Sequence, residues 1–477
     1  MLTKISNFIG HISNFIGPIN EILYYPILII LLLLIGLYFT FRTKFLQVRL
    51  LKESINVVME KPEEEGAVSS FQALMVSTAS RVGSGNIVGI STAICLGGYG
   101  AVFWMWIVAI IGGASAFIES TLAQIYKKRD ENNKSYGGPA YYIEQGLKSR
   151  KLGIIFAISL ILTYAIGFNM LASFNLQTSF IAYDFYDPNK TPFIIGLILA
   201  IITGICIFGG GDRIIKFTST LVPFMGIIYI LVAIIMIVVN ISYIPTVFSN
   251  IFKDAFNFRA IFAGLASSSM MYGIKRGLYS NEAGIGSAPN AAASANISHP
   301  AKQGLVQMLS VFIDTLLICS ATAFMCLSSG IEPSEALSGA PYVQESLSTL
   351  LGSFGNYFIS FSLALFTFTT LIGNLFYVDS NLAYINKKTP SKTFMIIFRL
   401  FAVIVILLGA MSKVKLAWDI SDLLMGIMAL INLPSILILS KKAIDCLKDY
   451  EKQKRSGKNP IFKAKDIGMK EKLDYWN

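Results

Sequence analysis

Runs of apolar residues with almost no charge, at 25–39, 154–166, 193–208, 221–239 and 394–408, recur along the whole chain. A bilayer core about 30 Å thick needs roughly 20 apolar residues per helix, and several of these runs approach or reach that length. Their apolarity is continuous rather than alternating, which excludes β-barrel spans. Only 14% of the 477 residues are charged, about half the usual share in soluble proteins. No stretch between the runs is long and polar enough to fold as a separate globular domain. A soluble enzyme on one membrane anchor is thereby excluded, and the chain reads as an all-α polytopic membrane protein.

Hydropathy, with punctuation by Gly, Pro and charge, predicts eleven spans: 21–41, 69–96, 99–126, 152–183, 192–209, 214–240, 258–295, 303–328, 354–383, 393–411 and 416–440. The count reads as one plus five plus five. Residues 1–68 are then an N-terminal segment with one extra helix and its connection, 69–440 a core of two halves (69–240 and 258–440), and 441–477 a basic tail. The N-terminus repeats ISNFIG at 5–10 and 12–17. It lacks a basic n-region and a small-residue cleavage site, so it does not read as a cleaved signal peptide; an interfacial helix is the alternative.

The formal charge of +11 raises the question of nucleic acid, but its placement answers differently. The tail 441–477 holds eleven Lys/Arg against six Asp/Glu, and cations near span ends mark the cytoplasmic side. The connections 42–61, 127–151, 213–216 and 387–392 carry most other loop cations, whereas 329–353 has none. The expected orientation is therefore N-terminus outside and C-terminus inside the cell membrane, against the dissent of Lys253, Arg259, Lys413 and Lys415. Cys95, Cys206, Cys319, Cys326 and Cys446 have no metal-like spacing and read as packing residues. His11 and His299 lie far apart, which argues against a His-based site.

Two spans are unsuited to ordinary helices. The second contains Arg81-Val82-Gly83-Ser84-Gly85-Asn86, and the seventh is rich in Gly, Ser, Lys275, Arg276, Asn281, Glu282 and Pro289. Each glycine costs about 1 kcal/mol against alanine in a helix. Small residues also allow close helix packing, but here Arg81 and Asn86 stand inside the span, where polar groups are functional candidates. Non-helical backbone at membrane depth needs protein or a water-filled cavity around it. Glycine-broken segments at corresponding places in two halves point to a transporter's midplane site. Gly83, Ser84, Gly85 and Asn86 are the first-half candidates. The second break is expected between Gly264 and Gly277, with Met270, Gly273 and Ile274 as site residues.

At 97–112 the chain reads GGYGAVFWMWIVAIIG, and RVGSGNIVG (81–89), GGPAYYI (137–143) and KRGLYSNEAGIGSAP (275–289) follow the same pattern of blocks. Over about 71–432 the sequence resembles the alanine/glycine:cation symporter family, the sodium:alanine symporters. The resemblance implies a five-plus-five inverted repeat of the leucine-transporter type and uptake of a small neutral amino acid driven by Na⁺, or by H⁺ in some members. It implies a Na⁺ site between the second and ninth spans, from backbone oxygens near Ala79 and Val82 and the hydroxyls of Thr369 and Thr370, with Thr370 also near substrate. Two positions depart from the family pattern: Asn374 stands where a Trp is usual and Ala172 where a Gln is usual. A larger, more polar pocket follows, suited to a residue such as glutamine. No organic cofactor is expected, and membrane lipid is the other partner of a monomer.

An amino-acid zwitterion needs partners for both its charges: helix N-termini serve the carboxylate, and unwound carbonyls serve the ammonium and Na⁺. Glu119 and Asp314 lie inside apolar spans and need pairing, protonation or a cavity. Arg81 is a candidate partner for one of them, or a gate residue; Asn281 and Glu282 read as a cytoplasmic gate or hinge. A channel or receptor of similar topology is the competing class, and a channel would favour a continuous pore lined by repeated charges. A membrane enzyme lacks a nucleophile and base set apart from Ser280-Asn281-Glu282, which has no base beside it.

Overall fold

The computed structural model describes residues 15–130, 134–257, 268–388, 390–469, 471 and 473–476. The first ISNFIG copy, the start of the second, His11, Arg259, Gly264 and Ser267 lie outside the described residues. In chain order the helices are α1 (Phe15–Arg42), α2 (Leu51–Val58), α3 (Ser70–Arg81), α4 (Gly85–Gly97) and α5 (Ala101–Ile125). After a two-residue antiparallel hairpin, β1 (Lys128–Arg129) and β2 (Ser135–Tyr136) with Lys128 opposite Tyr136, come α6 (Pro139–Leu147), α7 (Arg150–Thr178), α8 (Thr191–Ile207), α9 (Gly210–Val239) and α10 (Ile244–Ala255). The second half holds α11 (Ser269–Asn281), α12 (Pro289–Ala292), α13 (Pro300–Leu327), α14 (Ala340–Leu351), α15 (Ser353–Asn386), α16 (Lys392–Ala410) and α17 (Val414–Arg455).

Eight of these, α1, α5, α7, α9, α13, α15, α16 and α17, are long and apolar enough to cross a membrane among the described residues. Apolar α4 and α8 are shorter. The outer faces of α8, α9 and α16 expose Ile201, Ile205, Ile227, Ile234 and Ile397, which water would penalise and hydrocarbon would solvate. Inward faces pack through small residues, as membrane helices do. Gly113 of α5 meets Met308 and Phe312 of α13, and Gly304 of α13 meets Phe117 and Thr121 of α5. A side chain at Gly273 would strike the Ala101 carbonyl and Trp104 of α5, one at Gly409 the Met170 backbone of α7, and one at Gly100 the Ala255 backbone of α10.

Local signals place the helix starts. Ser69 accepts from the Gln72 N–H (3.1 Å) while its own N–H donates to Gln72 Oε1 (3.0 Å), a capping box that opens α3. Ser268, in extended backbone, accepts from the Met271 N–H (3.2 Å) and opens α11. α10 lies as a short amphipathic element whose Val247, Ile251 and Ala255 face inward. Its Asp254 accepts from the Gly100 N–H (2.7 Å) at the α4–α5 turn.

The basic tail 441–477 is folded onto the rest of the chain. Residues 441–455 continue α17, because no Gly or Pro interrupts a run of good helix formers. Beyond it the chain folds back as a strap. Phe462 N–H donates to the Ser298 carbonyl (2.9 Å), Trp476 Nε1 donates to the Gln124 carbonyl (2.7 Å), and Tyr475 lies 3.6 Å from the buried Lys127 ammonium. Asn296 joins the strap to the approach of α3: it donates to Tyr475 Oη (3.1 Å) and accepts from the Glu63 N–H (3.0 Å).

His299 anchors this region. Its Nδ1 accepts from the Ala301 N–H (3.2 Å) and its Nε2 faces Asp449 at 3.2 Å, between the rings of Tyr450 and Phe462. Burial pushes the imidazole down to about 4. A histidine depressed below its unfolded value stabilises the fold fully above about pH 6.5 and loses that contribution as pH falls toward 4. Thermal unfolding should therefore show a drop in stability over this window that His299→Phe flattens; an unchanged pH profile in the variant would assign the drop elsewhere.

Candidate functional site

The first break separates α3 from α4. Val82 leaves helical backbone (φ −75°, ψ 83°), and Asn86 caps the gap by accepting from the Gly83 N–H at 2.9 Å. The second break follows α11, where Glu282, Gly284 and Gly286 adopt positive φ (53°, 85° and 89°). Glycine takes such angles without penalty, whereas Glu282 is held there by its surroundings. The two breaks are neighbours: a side chain at Gly85 would reach the Tyr279 ring at 3.1 Å and the Ser280 backbone at 3.5 Å.

Met270–Ile274 is continuous helix, so no break lies among those residues; of the wider range expected, Gly264 to Ser267 lie outside the described residues and Ser268 is extended, and a further break stands at Glu282–Ser287. The sequence around 270–274 is no poorer a helix former than the rest, whereas Gly284 and Gly286 supply the only backbone freedom the turn requires. Gly273 packs on α5, Ile274 is fully buried and Met270 partly so. Of the two residues expected to form a gate or hinge, Asn281 ends α11 and Glu282 opens the break, and both are buried. Asn281 Oδ1 accepts from the Ala283 N–H at 3.0 Å.

Asp314 of α13 bridges the breaks. Asn86 Nδ2 donates to its carboxylate at 2.7 Å, Ser280 Oγ at 3.0 Å and Thr315 Oγ1 at 2.8 Å. Glu119 of α5 accepts from the Gly284 N–H (3.2 Å) and from Asn432 Nδ2 (2.8 Å). Neither carboxylate forms an ion pair with Arg81, whose Nη1 instead donates to the carbonyl and Oε1 of Gln307 (3.4 and 3.3 Å). The pairing expected for Arg81 is thus replaced by neutral donors on each acid.

A polar wall runs from the first break to α7 and α15. Asn175 Nδ2 donates to Ser84 Oγ (3.1 Å), which lies 3.4 Å from Tyr279 Oη. Asn374 Nδ2 donates to Asn169 Oδ1 (2.9 Å), and Ser80 Oγ stands 2.7 Å from Asn374 Oδ1 and 3.0 Å from Glu282 Oε1. Buried Ala172 shares their face of α7, three residues from each asparagine. Asn169, Asn175 and Ser80 are not among the residues the sequence singles out, although two asparagines six apart in an apolar run are a readable signal.

The four expected Na⁺ ligands divide. Thr370 Oγ1 reaches the Ala79 carbonyl at 3.3 Å and crowds the Gly83 Cα, so two oxygens suited to a hard cation converge beside Val82. Thr369 instead donates back to its own helix at the Leu365 and Phe366 carbonyls (3.1 and 3.0 Å) and lies 3.6 Å from Met225 Sδ. Successive helix residues point about 100° apart, and here Thr369 turns toward Met225 while Thr370 turns toward Ala79.

Beyond Tyr279, whose ring sits between Phe168 (5.0 Å) and Trp418 (5.1 Å), lies an ionic plug. Arg276 forks onto both oxygens of Asp422 (3.1 and 3.2 Å), Lys275 adds a 2.7 Å contact, and the guanidinium stacks 3.7 Å from Trp418. Tyr24 Oη of α1 donates to the Asp422 carbonyl at 2.9 Å. On the other side a cavity of about 740 Å³ reaches Asn290 of α12 and, on α15, Phe376 and Asp379, two and five residues from Asn374, and opens past Glu64, Asp212 and Arg399.

The fold resembles MhsT in complex with L-phenylalanine at a TM-score of 0.54 and 13% identity, over 85% of this chain and 92% of that one, and so is leucine-transporter-like. Among curated relatives, the Bacillus subtilis protein named "Probable sodium/glutamine symporter GlnT" is 45% identical over 96% of this chain and 94% of its own. "Sodium/alanine symporter AgcS" of Methanococcus maripaludis is 35% identical over 94% and 99%. The model of the sodium:alanine symporter family matches residues 9–464. With two broken helices facing each other and a match over nearly its whole length, the chain belongs to the sodium:alanine symporter family, a family of transporters rather than enzymes.

Proposed function

We propose that the protein imports a small neutral amino acid with Na⁺ by alternating access, and that its carboxamide-lined wall admits glutamine beside alanine and glycine. The observation that carries this reading is the meeting of the two helix breaks at Gly83–Asn86 and Glu282–Gly286, with Thr370 turned onto Ala79. The N-terminus of α4 offers N–H groups to the substrate carboxylate. The end of α3 offers carbonyls to Na⁺ and ammonium. Ala172 leaves room, and Asn374 and Asn169 line it with amide groups. The Arg276–Asp422 plug closes the outer side while the cavity at Asp379 opens inward. An eleven-span, one-plus-five-plus-five topology with halves 69–240 and 258–440, N-terminus outside, is supported by the cation-rich connections and by breaks in the first helix of each half. The protein acts as a monomer in the cell membrane.

Uptake of labelled alanine, glycine and glutamine into proteoliposomes, with and without a Na⁺ gradient, tests the reading. Concentrative uptake of all three should require Na⁺, and Thr370→Val should raise the Na⁺ concentration for half-maximal uptake by about tenfold, the equivalent of ~1.4 kcal/mol. Gradient-independent turnover of substrate would defeat the transporter reading, and exclusion of glutamine would defeat the enlarged pocket.

A further inference from the structure

Ser80 presents one hydroxyl hydrogen to two acceptors. Glu282 Oε1 lies 3.0 Å from its Oγ and Asn374 Oδ1 2.7 Å, and a serine hydroxyl can donate to only one at a time. The other Glu282 oxygen already accepts from Ser287 Oγ at 2.7 Å. Asn374 passes its own Nδ2 hydrogen to Asn169 Oδ1, and the Asn169 Nδ2 group, fully buried, has no partner. The observed contacts close if the carboxyl carries a proton: Glu282 donates to Ser80, Ser80 donates to Asn374, and Asn374 donates to Asn169. Without that proton Ser80 must donate to Glu282. The Asn374 and Asn169 carboxamides then complete the chain by turning over together, with Asn374 Nδ2 toward Ser80 and its Oδ1 toward the Asn169 Nδ2 that is otherwise orphaned.

We propose that Glu282 is a proton-binding site whose occupancy sets, through Ser80, which end of the Asn374 carboxamide faces the substrate, so that one proton is taken up as the amino acid binds. The proposal rests on the reading of Asn374 as part of the substrate wall and adds a ligand to it. A substrate that pairs with the end of Asn374 exposed in the protonated arrangement holds the relay in that arrangement, so its binding favours the proton on Glu282. The proton comes from, and returns to, water on whichever side is open.

The groups around Glu282 suit such a role. Arg81 of α3 is the cation within electrostatic reach, and Tyr164 of α7, Tyr377 of α15 and Tyr279 of α11 stand near it. Glu119 of α5 engages the same turn through Gly284. Arg81 does not ion-pair with Glu282, leaving the carboxylate with hydroxyl donors alone among the described residues.

Calorimetric titration of the purified full-length protein with alanine and with glutamine, at saturating Na⁺ in buffers of different ionisation enthalpy between pH 5.5 and 8.5, counts the protons taken up per substrate. The wild type should take up a fraction rising toward one, and its Kd should tighten with falling pH by up to about tenfold per unit, the limit for one linked proton. Glu282→Gln should bring the count to zero. Ser80→Ala, which keeps the carboxyl but cuts the relay, should do the same and serves if the first variant does not fold. Substrate binding with no linked proton in the wild type, or a wild-type count in either variant, overturns the proposal. Absence of any Na⁺-dependent amino-acid binding would instead overturn the transport reading beneath it.

Discussion

Alanine at position 83 should reduce Na⁺-driven uptake by about a hundredfold or more, the penalty of displacing a positioned group by around 1 Å. The added methyl would occupy the space of Thr370 Oγ1, and the hydroxyl could escape only by abandoning the Ala79 carbonyl. Backbone relief is closed off, because the Gly83 N–H is committed to Asn86 and Asn86 to Asp314. The loss should therefore appear as a failure to respond to Na⁺ in a protein that still elutes as a folded species. Pairing the change with Thr370→Ala should recover packing without recovering the Na⁺ response. A Gly83→Ala protein with the wild-type Na⁺ dependence would show that Thr370 and Ala79 do not form the cation site.

Asp422→Ala should cost about 3–5 kcal/mol of stability, the usual result of removing one partner from a buried charge cluster. Asp422 is 1% and Arg276 4% exposed, and Lys275 shares the same carboxylate. Deletion leaves two cations facing each other in a space walled by Tyr24, Trp418 and Tyr279. Thermal unfolding in detergent, compared with Asp422→Asn, separates charge from shape. The amide should recover part of the packing but little of the ionic term. A melting temperature unchanged in the alanine variant would show that water already reaches the cluster.

Much of this architecture is legible in the sequence. Charge-free runs located the long helices because hydrocarbon leaves little latitude in length or composition, and Arg81–Asn86 announced the first break because glycine and serine sit badly in a lipid-facing helix. The break at Glu282–Ser287 is not legible in the sequence for a physical reason: the whole stretch from Gly264 to Gly286 is rich in breakers, and only tertiary contacts decide which of them bend. Packing of Gly273 and Gly277 on α5 keeps that part helical, while Glu119 and Asn432 hold Gly284 in its turn. The partners of Arg81 and the division of Thr369 from Thr370 were likewise beyond sequence, since both depend on side-chain direction across helices rather than on residue type. The plug at Asp422 joins residues 146 positions apart, and no local pattern announces such a pair.

The glycines at 97, 100 and 273 have a mechanical consequence. Each lets main chain or a β-carbon approach so closely that one added methyl would overlap its neighbour: Gly97 on Tyr272, Gly100 on Ala255, Gly273 on Ala101 and Trp104. These contacts seat α4, α5, α10 and α11 directly against one another. The unwound backbone of Val82–Ser84 and Glu282–Ser287 lies at the margin of that seam. A single β-carbon at any of the three positions should therefore pry the seam apart next to the polar centre, with no polar side chain changed.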